Sequence, residues 1–166
     1  MAKYGQWDGH LCSLGQGILE FLQTDFKPEV FVEKLEKVKI LTDAEVEATD
    51  EKDWVKDGKH WFLTRDCAGY EALAGIQSGK MKETMLNEEF AYESLFNEFT
   101  YVLDLDKYVF EVYKGFNKKK LSKTERFYKD KPDSDGYYGV KLLVSYPFDK
   151  LPKDIAEVEK LLPKDE

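Results

Sequence analysis

Apolar and polar positions alternate most regularly over residues 97–115. Phe99, Tyr101 and Leu103 alternate with Thr100, Val102 and Asp104. After a break at Leu105, Asp106 and Lys107, Tyr108, Phe110 and Val112 alternate with Val109, Glu111 and Tyr113. A period of two in aromatic and β-branched residues predicts two strands joined by a tight turn, and a short carboxylate suits the turn because it can bond a nearby N–H. A third strand is predicted over residues 138–146, where Val140, Leu142 and Val144 alternate with Lys141, Leu143 and Ser145. Apolar residues on both of its faces predict a strand that is covered on both sides. Residues 3–7 read as a weak first strand.

Helical spacing fills most of the rest. Ile18, Leu19, Phe21 and Leu22 predict a helix ending near Gln23, entered from a turn-rich loop over residues 8–17. Pro28 suits a first helical turn and opens a second helix carrying Phe31, Val32 and Leu35. Thr42 with Glu45 three residues on forms a capping box for a short third helix. Thr64 caps a fourth, with Cys67, Tyr70, Leu73, Ala74 and Ile76 on its buried side and Ser78-Gly79 as its stop. One more helical turn is expected over residues 88–96, and a final helix from Pro152 to Pro163 carrying Ile155, Val158, Leu161 and Leu162. Residues 49–59 and 130–136 read as loops, and residues 60–63 as a short strand or core anchor. The expectation is one α+β domain spanning 1–166: a small, mostly antiparallel sheet built on a central hairpin, with helices packed on it.

Composition narrows the function classes. The 42% hydrophobic share and 14% aromatics fit a folded globule. The net charge of −8 argues against direct nucleic-acid binding, which needs clustered Lys and Arg; the acidity suits solubility or mimicry of a nucleic acid. No run approaches the ~20 apolar residues of a membrane span, and the first residues lack the apolar stretch of a leader. Cys12 and Cys67 are far apart and fit reduced thiols. A cytoplasmic protein is expected, with no cofactor.

Four groups of residues could carry chemistry. Trp7, Asp8 and Gly9 lead into Gly15 and Gly17, where the start of a helix could offer N–H groups to an anion; the alternative is a tight connection with glycines at packing points. Arg65 and Arg126 are the only arginines, and a guanidinium fork suits phosphate or carboxylate. Phe127 beside Arg126 could stack a base or fill the core, and each arginine could equally form a structural ion pair. Asp104, Asp106 and Glu111 offer hard oxygens, but without metal-loop spacing they read as a solvated turn, and no metal is expected. Asp8, His10 and Cys12 could supply a base and a nucleophile, provided the chain stays extended through Gly9.

Tyr4-Gly5-Gln6-Trp7-Asp8-Gly9 with the later Gly15 and Gly17, the hairpin from Tyr101 to Asn117, Glu125-Arg126-Phe127 and the strand ending at Pro147 resemble a family of small phage and bacterial proteins. That family opens with Tyr-x-Gln-Trp/Tyr-Asp-Gly-Tyr-Pro, and His10-Leu11 stands here where it has Tyr-Pro. The resemblance implies a phage or prophage setting and no established activity. Three classes of function follow. The first is a non-enzymatic binding protein that sequesters a small anionic, nucleotide-like host signal through Trp7, Asp8, Gly9, Gly15, Gly17, Arg65, Arg126 and Phe127. The second is an acidic inhibitor of a host protein or a nucleic-acid mimic. The third is a small hydrolase using Asp8, His10 and Cys12. Homo-oligomerisation is left open.

Overall fold

The computed structural model describes residues 1, 9–56, 58–67 and 69–162; the predicted strand over residues 3–7 lies outside them. The fold is α+β. A π-helical turn, Leu11–Gly15, runs directly into α1 (Gln16–Thr24). Then come α2 (Pro28–Leu35), β1 (Lys39–Ile40), α3 (Asp43–Glu47), α4 (Gly69–Gln77), β2 (Glu83–Thr84) and α5 (Glu88–Tyr92). The hairpin follows as β3 (Phe99–Asp104) and β4 (Val109–Lys114), and β5 (Lys141–Pro147) and α6 (Ala156–Glu159) close the described chain.

The main sheet is antiparallel in the order β3-β4-β5, and β1 and β2 form a separate parallel pair. The hairpin turn takes four residues, 105–108, rather than three. Asp104 Oδ1 accepts from the N–H groups of Asp106 (3.1 Å) and Lys107 (2.9 Å), and Tyr108 closes the turn at φ +56°. The register pairs Tyr101 with Val112 and Leu103 with Phe110. Between β4 and β5 the register shifts, leaving Leu143 as an extra residue in a bulge. As a result Leu143 and Val144, adjacent in sequence, both pack with the helices. Leu142, predicted as a strand-core position, is instead 41% exposed.

Each face of the sheet has its own core. On one, Phe99, Tyr101, Leu103, Phe110 and Val112 meet Ile18, Leu19 and Leu22 of α1, Phe31 of α2, Ile76 of α4 and Val158 of α6. The other packs Tyr113 and Val102 against Leu121, Phe127 and Val140 of the irregular segment between β4 and β5.

Local chemistry explains the helix ends. The Thr42–Glu45 capping box is present in full, and Gly79 ends the α4 region at φ +71°. Thr64 caps a turn rather than the fourth helix, its hydroxyl accepting from Cys67 N–H at 3.2 Å, so the helix starts later. Residues 61–63 form a 3₁₀ turn rather than a strand. The last helix is shorter than the spacing predicts: the Glu157 carboxylate bonds Lys153 N–H at 3.0 Å ahead of a helix of four residues.

Candidate functional site

Trp7 and Asp8 lie outside the described residues; Gly9 is half-buried, and its carbonyl accepts from the Tyr101 hydroxyl at 3.0 Å. The loop predicted over residues 8–17 is helical from Leu11 onward, so Gly15 and Gly17 sit within the helix and not ahead of it. Gly15 N–H already donates to His10 O at 3.2 Å. A Cβ on Gly15 would stand 2.8 Å from the Tyr101 hydroxyl, and one on Gly17 would stand 2.6 Å from the Tyr70 ring. Both glycines therefore let tyrosines lie against the helix. Burial first, then the charge of Glu98, pushes the Tyr101 phenol up, keeping it a neutral donor.

His10 is exposed, with Nδ1 2.8 Å from Glu98 Oε2. Glu98 Oε1 in turn meets Lys114 Nζ at 3.1 Å. Cys12 is exposed within the π-helical turn, so the extended alternation that would align Asp8, His10 and Cys12 stops at His10.

Arg126 lies across the far face of the sheet. Its Nε donates to Glu111 Oε2 (3.1 Å) and to the Tyr113 hydroxyl (3.2 Å), and its Nη2 pairs with Asp104. Tyr113 donates to Glu111 Oε2 at 2.8 Å, and burial together with that bond pushes its phenol up to about 12. Burial works to raise the Asp104 carboxyl, but Lys107 N–H and Arg126 outweigh it and hold the group below the usual carboxylate range. Asp104 and Glu111 thus come together around a guanidinium, while Asp106 stays on the exposed turn. Among the described residues no cluster of three His, Cys, Asp or Glu could hold a metal. Phe127 is 5% exposed, edge-on to Tyr113 (4.8 Å) and Tyr92 (5.2 Å), which makes it a core residue.

The glycines and the Arg126–Phe127 pair therefore stand on opposite faces of the sheet. Arg65 is exposed, with no ion pair among the described residues. Two shallow hollows, of about 400 Å³ beside Phe21 and Gln77 and about 380 Å³ beside His60 and Glu83, contain none of the predicted site residues.

Sequence reasoning missed an exposed aromatic surface. Phe96 is 68% exposed and Phe116 50%, and Leu86, Phe90 and Tyr92 also face solvent. The segments that carry Phe96 and Phe116 meet where Phe116 N–H donates to Ser94 O at 2.8 Å and the backbone of Gly115 touches that of Asn97. Phe116 has φ +54°, a left-handed backbone that costs a bulky L-residue roughly 1–2 kcal/mol. In sequence, Phe90 and Phe96 fall in the expected helical turn over residues 88–96, and Phe116 follows the hairpin. For Leu86, Phe90, Tyr92 and Phe96 the available signal is charge: residues 83–106 hold seven acidic side chains and no basic one.

No family model, curated protein or solved structure matches the chain. Among the described residues no helix is long and apolar enough to cross a membrane.

Proposed function

We propose that the protein is a non-enzymatic binding module that grips a host protein through the acidic, aromatic surface of residues 86–98, acting as an inhibitor or a nucleic-acid mimic. The observation behind this is Phe96, left 68% exposed beside Phe90 and Tyr92 in a stretch that also carries Glu88 and Glu89. Large aromatics left facing solvent are the usual anchors of interfaces, and a one-sign rim selects a basic partner and speeds encounter. The resemblance to phage proteins makes a host protein the natural target. Sequestration of an anionic nucleotide is a second reading, which rests on the exposed Arg65.

The test compares immobilised wild type with a Phe96→Ser, Glu88→Lys, Glu89→Lys variant in host extract. Retained proteins are identified and then titrated directly. A basic protein bound by wild type and absent from the variant is the expected result. Equal retention by both, with a nucleotide released on heat denaturation, would replace this reading with the second.

A further inference from the structure

Charge is sorted along the chain more sharply than the net value shows. Residues 114–131 hold eight Lys or Arg against two acidic side chains, Glu125 and Asp130; spreading the 25 Lys and Arg evenly over 166 residues would place about three there. This segment is irregular yet fixed. Leu121 and Phe127 anchor it to the sheet. Asn117 Nδ2 donates to Lys119 O (2.8 Å) and Gly139 O (2.9 Å), while its Oδ1 accepts from Lys119 N–H (3.0 Å).

Four of the cations sit in ion pairs: Arg126 holds Asp104 and Glu111, Lys120 meets Asp130 at 2.9 Å, Lys114 meets Glu98 at 3.1 Å and Lys129 meets Glu93 at 3.4 Å. Lys118, Lys119, Lys123 and Lys131 are exposed and, among the described residues, form no ion pair. Two aromatic residues, Phe116 and Tyr137, flank them in sequence. Phe116 presents its half-exposed ring on a left-handed backbone, and Lys118 lies 4.9 Å from the centre of the half-buried Tyr137 ring. In the next turn Asp133 uses its carboxylate on the N–H groups of Asp135 and Tyr137 (3.0 and 2.8 Å), leaving Asp135 as that turn's exposed acid.

We propose that this lysine and aromatic face binds single-stranded nucleic acid. Lysines on a fixed backbone, free of carboxylate partners, meet phosphates, and ring faces accept bases of any sequence. The face carries no recognition helix or ribbon for a duplex groove. The nearest acids do not forbid this, because Glu98 and Glu93 are already neutralised by Lys114 (3.1 Å) and Lys129 (3.4 Å), and charges more than about 8 Å away are screened at physiological salt. The inference rests on the unpaired lysines rather than on the acidic surface of residues 86–98, which borders them at Phe116, and it departs from the expectation that net charge alone sets.

Fluorescence anisotropy with labelled oligo-deoxythymidine and oligo-uridine tests it, with a duplex, heparin and polyglutamate as competitors. Saturable binding that weakens with salt is expected. The Lys118→Ala, Lys119→Ala, Lys123→Ala variant should lower the slope of log K against log salt by about 2, at about 0.7 for each phosphate left without its lysine. Phe116→Ala should weaken oligonucleotide binding roughly tenfold while leaving heparin unaffected. Circular dichroism confirms that these exposed substitutions leave the fold intact. No anisotropy change, a triple variant that binds like wild type, or polyglutamate competing on equal terms would overturn the proposal, the last pointing to an acidic protein.

Discussion

Arg126 closes on a single oxygen of Glu111, with Nε at 3.1 Å and Nη2 at 3.0 Å from Oε2. Glu111 is buried on the central strand, so this contact gives a carboxylate in the core its counter-charge. Removing one partner of a buried pair typically costs about 3–5 kcal/mol, but the Arg126 side chain is 35% exposed and the pair is partly screened. Arg126→Ala should therefore cost about 1–3 kcal/mol in urea unfolding. Arg126→Lys should recover only part of it, because an ammonium cannot span Glu111, Tyr113 and Asp104 together.

Acid should release α3. The Lys39 ammonium, then Thr42 N–H and hydroxyl, hold the Glu45 carboxyl down from 4.5 to about 2. A depressed carboxyl contributes stability above its unfolded value and loses it as pH falls toward the folded one. The Thr42 amide resonance should therefore shift as pH drops from about 4.5 to about 2, and Glu45→Gln should abolish that titration.

Two glycines distinguish packing from backbone contact. A Cβ on Gly115 would fall 1.7 Å from the carbonyl oxygen of Asn97, whereas one on Gly15 meets the side-chain hydroxyl of Tyr101 at 2.8 Å. Gly115→Ala should cost about 3 kcal/mol or more, while Gly15→Ala should stay within about 1 kcal/mol of wild type because alanine favours the helix. Denaturant midpoints of the two variants check the order.

Phe116→Gly removes a left-handed strain of about 1–2 kcal/mol and a half-exposed ring that packs little. Its thermal midpoint should match wild type or rise, while oligonucleotide affinity falls. A large drop in stability would show that the ring serves the fold.

The parts of the structure legible in sequence are those set by near neighbours. Alternation places β3 and β4, and side-chain chemistry within four residues places the Thr42–Glu45 cap. Gly15 and Gly17 read as loop residues because their role depends on Tyr101 and Tyr70, distant in sequence. The two acids held by Arg126 lie 15 and 22 residues before it, and no local pattern shows which carboxylate it will choose. Leu142 looks buried because a bulge that displaces its neighbour cannot be seen in an alternating pattern. The exposure of Phe96 and Phe116 is not legible in sequence, because hydrophobicity alone does not separate a buried aromatic from an exposed one. The sorting of charge is present in the chain but averages away in the net value of −8.

Strand β4 belongs to both cores at once: Phe110 and Val112 point to the helices, Tyr113 to the lysine-bearing segment. Its backbone is paired on both sides, by β3 and β5. Neither half of the molecule can open fully without stripping one face of this strand. Its amide protons should thus exchange with deuterated solvent only through global unfolding, the slowest in the protein, and report a single free energy for both halves.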